Sequence, residues 1–277
     1  MKGSFGRITI VIIEILLMIY TISLIFPFLW IVNNSFKTVA EFYKNIWNLP
    51  GKLQIVNYIN ALKETNMLSY FINSIIITVI GTVSQVIFSA STAYVLAKYK
   101  FKGSSLIFAM TVSGLLIPSV GTLAPMYVFM RNTHLFNALG LLILYASGMG
   151  TNMLIFYSFF KGISWSYAEA AFMDGANHWT VFWKVMFPMS KGATIAVAII
   201  TSITLWNDYF MPSILLTNPK RLTIAVGLKA LQMQQQYAAS WTTLFAAVVI
   251  ASLPTILIYV FFQDKISKGF LMGGLKE

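Results

Sequence analysis

The chain has 277 residues, of which 58% are hydrophobic and only 10% charged, a balance far from that of a soluble globular domain. Its formal charge of +11 comes from basic residues scattered between apolar stretches, with no aromatic-interleaved basic patch, so lipid head groups explain it better than nucleic acid. Cysteine is absent, which excludes disulfides, iron–sulfur clusters and thiol catalysis.

A helix needs about 20 apolar residues to cross a hydrocarbon core of roughly 30 Å. Six stretches reach or approach that length: Ile8 to Val32, Tyr70 to Ala97, Ser105 to Met130, Leu139 to Phe160, Ala193 to Leu216, and Trp241 to Phe262. They are continuously apolar and do not alternate, so helices are expected and not a barrel. The reading is an all-α polytopic membrane protein, one membrane domain over residues 1–277 with no internal repeat. Lys2 and Arg7 precede the first run, which is too long for a secretory signal and lacks an Ala-x-Ala site, so it reads as an uncleaved span. Lys98, Lys100 and Lys102 lie between spans two and three, and Lys265, Lys268 and Lys276 follow span six. By the positive-inside rule these sites and both termini face the cytoplasm.

Span two carries Asn73, Thr78 and Gln85, suited either to a polar solute or to bonding across helices for roughly 1 kcal/mol each. Span three contains Gly114, Pro118, Gly121 and Pro125, and is expected to be kinked and to face inward, because lipid does not tolerate freed carbonyls. Asn152 in span four has the same two readings as the polar residues of span two. Span five ends in Trp206-Asn207-Asp208-Tyr209-Phe210-Met211-Pro212. A carboxylate there is costly unless partnered or wet, so Asp208 suits either substrate contact or holding a helix end. Trp206, Tyr127 and other aromatics fit sugar rings, whose C–H faces they can cover, and equally an interfacial belt. The segment Thr217 to Tyr237, with Gln232, Gln234, Gln235 and Gln236, is too polar to cross. It reads as an external loop, either solvated or touching a partner. His134 and His178 stand outside any metal-ligand spacing, and no phosphate-cradling G-x-x-x-x-G-K-[ST] loop is present.

Between spans four and five, at about 163–190, lies a polar interruption. Ser166 and Glu169 have the spacing of a capping box, predicting a short helix from near Tyr167 to Asp174. Gly175 would let the backbone turn sharply, and Pro188 would limit a second helical piece. Glu169-Ala170-Ala171, three residues, Gly175, nine residues, then Val185-Met186-Phe187-Pro188 resembles the EAA motif of the permease subunits of binding-protein-dependent ABC importers. Val185 and Phe187 depart conservatively from its Ile and Leu. Ser35-Phe36-Lys37-Thr38, Asn57-Tyr58, Trp206-Asn207-Asp208 and the tail around Lys268-Gly269-Phe270 and Gly273-Gly274-Leu275-Lys276 are similar to the carbohydrate branch, in particular the smaller permease of maltose-type importers.

The resemblance implies a type I importer, MetI-like fold with six spans, its shared core at about 70–263. It implies a non-catalytic subunit with no cofactor in this chain, MgATP being bound by two separate ATPase subunits. A second homologous permease, an extracytoplasmic solute-binding protein and a sugar or oligosaccharide complete the system, in the plasma membrane of a prokaryote. The loop from Glu169 to Pro188, with Asp174, becomes the coupling helix that sits in an ATPase cleft. The glutamine segment and Tyr237 become a probe of the binding protein, and Asn152, Trp206, Asn207, Asp208 and Tyr127 candidates for the solute path. Two alternatives stay open: an importer of this type for a non-sugar solute, and an ion-gradient-driven transporter, for which intramembrane acids are few.

Overall fold

A computed structural model of the chain describes residues 2–63, 66–147, 150–238 and 240–274, with side chains described from Thr9 onward apart from those of 119–120, 236–238 and 264–274. Leu275 and Lys276 lie outside the described residues, as do the side chains of Lys2, Arg7, Gln236, Tyr237, Lys265 and Lys268.

The first span is α1 (Lys2–Ser35). Two short helices follow, α2 (Val39–Lys44) and α3 (Val56–Lys63), before α4 (Met67–Lys98) forms the second span. The third is broken into α5 (Ser104–Gly114) and α6 (Leu123–Asn132), with a 3-10 turn at Ser119–Thr122 between them. Next come α7 (Ala138–Ser147) and α8 (Gly150–Gly162). The polar interruption holds α9 (Ser166–Met173), α10 (His178–Val181) and α11 (Phe187–Met189). The chain continues through α12 (Lys191–Asn207), α13 (Phe210–Leu215), α14 (Ile224–Ala238) and α15 (Trp241–Gly274). Among the described residues there is no strand.

Thr9–Ser35, Met67–Lys98, Ala138–Gly162 and Trp241–Gln263 are long and apolar enough to cross a membrane. The third and fifth expected spans are not single helices of that length. Gly114 ends α5, and Pro118 lacks the N–H that would continue its ladder. This break was expected to face inward, yet residues 113–118 are exposed and α5 has no buried residue. Its carbonyls are taken locally instead: the Leu115, Leu116 and Gly121 N–H groups donate to the Val112, Ser113 and Pro118 carbonyls, and the Ser113 hydroxyl to that of Met110. Pro254, by contrast, lies inside α15 without ending it. The segment from Thr217 to Tyr237, read as a loop, is mostly the helix α14.

The chain divides into two compact units, residues 1–68 with 227–253, and residues 69–226 with 254–277. In the first, the chain leaving α1 is pinned by polar side chains that are themselves buried. The Asn57 amide donates to the carbonyls of Ser35 and Lys37, both at 2.8 Å, and the Ser35 hydroxyl pairs with that of Tyr58 at 2.6 Å. Lys37 is 1% exposed, and its Nζ donates to the carbonyls of Asn45 and Ile46 at 3.2 and 3.0 Å. Burial pushes its ammonium below the usual lysine range, and the nearby Glu41 carboxylate opposes that shift. Thr38 caps α2: its hydroxyl accepts the Glu41 N–H at 3.1 Å, and the Glu41 carboxylate accepts the Thr38 N–H at 2.9 Å. These bonds from the Thr38 backbone and hydroxyl hold the Glu41 carboxyl below its usual range. Thus the Ser-Phe-Lys-Thr and Asn-Tyr stretches, 22 residues apart in the chain, form one polar knot.

The second unit has two cores. Val86, Ala90 and Tyr94 of α4 pack with Met153, Phe156 and Phe160 of α8, and with Val181, Phe182, Met186 and Val197. The other core joins Ile77, Leu141, Tyr145, Leu205 and Leu215. Apolar side chains give little driving force between helices in lipid, so close approach matters. Ala90, Ala93, Ala193 and Ala196 are buried and supply it.

Candidate functional site

The loop between α8 and α12 is built from two local rules, one expected and one displaced. Ser166 does not cap α9. It is the first helical residue, and the Trp165 carbonyl accepts the Ala168 and Glu169 N–H groups at 2.8 and 3.1 Å. The Ser164 hydroxyl accepts the Ser166 N–H at 3.3 Å and pairs with the Ser166 hydroxyl at 2.8 Å. With Ser166 drawn to Ser164, the expected capping box is not formed. The Glu169 side chain remains exposed, its carboxylate with no hydrogen bond or ion pair among the described residues.

At the other end the expectation holds. The Ala176 N–H bonds the Ala171 carbonyl and the Gly175 N–H bonds the Phe172 carbonyl, both at 3.0 Å, the paired pattern of a Schellman motif. Gly175 has φ +79, a conformation costing an L side chain roughly 1–2 kcal/mol. The helix ends at Met173 with Asp174 as its C-cap.

These ends fix which face of α9 meets its own unit. Ala168 and Ala171 are buried, with Phe172 half-buried in the same cluster as Val181 and Phe182. Tyr167, Glu169, Ala170, Asp174 and Gly175 are exposed, and Met173 is 87% exposed. From Glu169 to Gly175 the motif residues are thus divided: Ala171 anchors the helix, while Glu169, Ala170 and Gly175 stand outward. Pro188 is exposed in α11, just after a wide π turn at Phe182–Met186 in which the Phe187 N–H reaches the Phe182 carbonyl. A proline ring would crowd the carbonyl four residues back and offers no N–H, and such a bulge accommodates both defects. As expected, the helical piece stops there: His178–Met189 and Lys191–Asn207 meet at a 78° bend.

The solute-path candidates are only partly brought together. A cavity of about 450 Å³ is lined by Gln85, Tyr145, Thr151, Asn152, Thr201 and Thr204, among others, and by no charged side chain among the described residues. The Asn152 amide donates to the Thr201 hydroxyl at 2.9 Å. Asp208 adjoins this wall through Tyr145, whose hydroxyl donates to its Oδ2 at 2.9 Å, while its Oδ1 accepts the Phe210 and Met211 N–H groups at 2.8 and 3.3 Å. Oδ1 therefore joins α12 to α13, and Oδ2 ties that corner to Tyr145 of α7. Trp206 is buried edge-on to Phe71 at 5.3 Å and lines a separate apolar cavity with Ile75, Val79 and Pro254. Asn207 is exposed and donates to the Ile203 carbonyl, and Tyr127 is exposed, edge-on to Phe136. Thr201 and Thr204 were not singled out from sequence, since threonine in an apolar helix carries no pattern of its own.

The glutamines sit on α14. The Gln232 carbonyl accepts from Lys229 Nζ at 3.0 Å and Gln234 is exposed, but Gln235 is buried with its Oε1 unpartnered among the described residues. Helical spacing sends neighbouring residues to different faces, so the run is not one outward polar surface. Gln236 and Tyr237 fall outside the described side chains. No group of His, Cys, Asp or Glu able to hold a metal occurs among the described residues.

A long-helix membrane chain with a capped, outward-facing loop helix has known counterparts. The family model described as binding-protein-dependent transport system inner membrane component matches residues 85–271. The chain belongs to that family. It is a permease subunit of an ABC importer, a non-catalytic membrane component. It is 34% identical over 260 residues to the diacetylchitobiose uptake system permease protein of Streptomyces coelicolor, covering 93% of this chain and 86% of that one. It is 31% identical over 252 residues to a probable starch degradation products transport system permease protein of Thermoanaerobacterium thermosulfurigenes, covering 91% of each. Its fold matches a chain in the crystal structure of a bacterial ABC transporter involved in the import of the acidic polysaccharide alginate, with a TM-score of 0.85, 26% identity, and 93% of this chain and 96% of that one covered. The expected type I importer fold is thereby established for this permease.

Proposed function

We propose that this permease forms, with a second homologous permease, the membrane path of an importer for a neutral sugar or oligosaccharide. An extracytoplasmic binding protein delivers the solute, and two ATPase subunits, which bind the MgATP, drive it; this chain carries no cofactor. Both termini and the loop of α9 lie in the cytoplasm of a prokaryotic cell. The observation that carries the reading is the division of α9: two alanines anchor one face, while Glu169, Ala170, Met173, Asp174 and Gly175 present a bare outer face. A handle needs both, since a displacement applied to the outer face passes to the membrane helices only through a rigid anchor. ATP binding closes the ATPases and shifts the membrane helices between inward- and outward-open states, each ligand biasing the equilibrium by its differential affinity for the two.

The solute class rests on the cavity. Gln85, Asn152, Thr151, Thr201 and Thr204 offer donors and acceptors without charge, which suits hydroxyls and disfavours an acidic sugar, whose carboxylate would lie unpaired. Asn152 is the wall residue assigned to solute and Asp208 holds Tyr145 beside it; Trp206, Asn207 and Tyr127 lie along other parts of the path. Gln232 and Gln234 are the parts of α14 open to the binding protein. Labelled uptake into vesicles carrying the co-expressed system tests the whole. Neutral oligosaccharides should compete, and uronic acids and amino acids should not. Uptake should stop on ATP depletion and persist with an ionophore. Uptake that fails with the ionophore and survives ATP depletion overturns the reading. Gly175→Asp and Glu169→Lys should each abolish uptake while leaving ATP hydrolysis.

A further inference from the structure

The cytoplasmic end of α4 grips the loop of α9 on both sides. Lys98, the last residue of α4, sends its Nζ to the carbonyl of Ile163, just before α9. Its neighbour Tyr99 places its hydroxyl 2.8 Å from Nδ1 of His178, just after α9, and 3.2 Å from the Tyr94 hydroxyl in the core. The Tyr99 ring is also edge-on to Trp165 and to His178, both with centroids 5.5 Å away, and His178 packs on Phe172 of α9 at 4.9 Å. Two consecutive residues at one helix end therefore hold the entry, the exit and one side chain of the loop helix. Beyond them, Gly103 with φ +94 turns the chain away into α5.

We propose that Lys98 and Tyr99 are positioning residues that carry the displacement of α9 into α4, with the Tyr99–His178 bond and the Lys98–Ile163 bond as the two arms of one strut. The geometry favours α4 over α8 and α12, its covalent neighbours, as the helix driven by the loop. α12 meets the loop across a 78° bend, which absorbs a push, and α8 ends at Gly162, leaving Ile163, Ser164 and Trp165 outside any helix before α9 begins, with the Ile163 carbonyl tied to Lys98. α4 runs from this grip through Tyr94 and Ala90 to Gln85 on the cavity wall, in one uninterrupted helix. A strut of this kind links the ATPase-facing loop to the solute cavity without a flexible joint.

The inference rests on the reading of α9 as the coupling helix, and the test separates the two. In proteoliposomes holding the complete transporter, the solute imported per ATP hydrolysed is measured for Tyr99→Phe, Lys98→Met, Lys98→Arg and His178→Gln. Tyr99→Phe keeps every ring contact and removes only the hydroxyl, and Lys98→Arg keeps the donor. Tyr99→Phe, His178→Gln and Lys98→Met are each expected to lower the import ratio about fivefold or more, with ATPase subunits co-purifying as in wild type, while Lys98→Arg stays near wild type. Gly175→Val serves as the control. If it uncouples and the Tyr99 and Lys98 variants do not, the strut is overturned and the coupling helix stands. If Gly175→Val also leaves the ratio unchanged, the coupling reading itself falls. If Lys98→Arg behaves as Lys98→Met, the donor arm is wrong.

Discussion

Two segments of this permease carry the same four-residue signal and use it in opposite ways. Thr38-x-x-Glu41 closes on itself, with the Thr38 hydroxyl on the Glu41 N–H and the carboxylate returning to the Thr38 N–H. Ser166-x-x-Glu169 stays open, because Ser164 takes the Ser166 hydroxyl and the Trp165 carbonyl starts the helix one residue early. A closed box consumes its glutamate for the benefit of the local fold. An open one leaves a carboxylate in solvent on a helix anchored on its other face through Ala168, Ala171 and Phe172. The contrast separates a segment that holds its own shape from one that, under the proposed function, is gripped by a partner.

The largest way to break that contrast is at Gly175. Gly175→Val adds a β-branched side chain at φ +79 and should cut uptake roughly tenfold or more. Gly175→Asn, a residue that tolerates left-handed backbone, should cut it less. Equal losses, measured as initial uptake rates, would place the effect on the outer surface and not on the backbone. Next is Lys37→Met, which keeps the apolar stem and strands the Asn45 and Ile46 carbonyls. A cost of about 1–3 kcal/mol is expected, read as a lowered thermal midpoint of the purified protein in detergent, with the loop of α9 no more open to protease.

Smaller still is the paired capping test. Thr38→Ala should cost about 1 kcal/mol, whereas Ser166→Ala should lie within about 0.5 kcal/mol of wild type. Comparable losses would mean that the two boxes do not differ. The smallest effect is on pH. Because the folded state holds the Glu41 carboxyl below its usual range, its contribution is fully present above the unfolded carboxylate pKa. It is lost as pH falls through the lower folded value. Amide exchange over 38–53 should therefore quicken relative to 166–176 as the solution is acidified, and Glu41→Gln should remove the difference. Lys37 acts at the alkaline end: burial lowers its pKa, so stability rises as pH climbs toward the unfolded lysine value.

Much of this was legible in the chain because it concerns local chemistry. The long apolar runs became α1, α4, α7–α8 and α15, and Gly175 took the positive φ that a Schellman turn requires. Pro118 fell at a break for want of an N–H, and Pro188 just after a π turn that accommodates it, one residue before the helix ends. What was misread depended on competition between local options. Ser164 competed with Glu169 for Ser166, and no pattern in the sequence ranks two serines. The break in span three was expected to face inward, yet residues 113–118 are exposed and its carbonyls are paired by local turns. The segment after span five was polar enough to read as a loop, yet helical spacing buried Gln235 and left Gln234 outside.

By itself, the sequence determined the class of molecule, the positions of most spans and the spacing of the loop motif, because membrane crossing and turn geometry depend on short stretches of side chains. The tertiary structure alone decided which motif residues anchor and which stand free, that Lys37, Asn57 and Ser35 form one knot, that Asn152 meets Thr201 and Asp208 meets Tyr145, and that Lys98 and Tyr99 reach around the loop helix. Those outcomes turn on which distant groups arrive within hydrogen-bonding distance, and helices packed through small residues set that by their register, a quantity that no local pattern encodes.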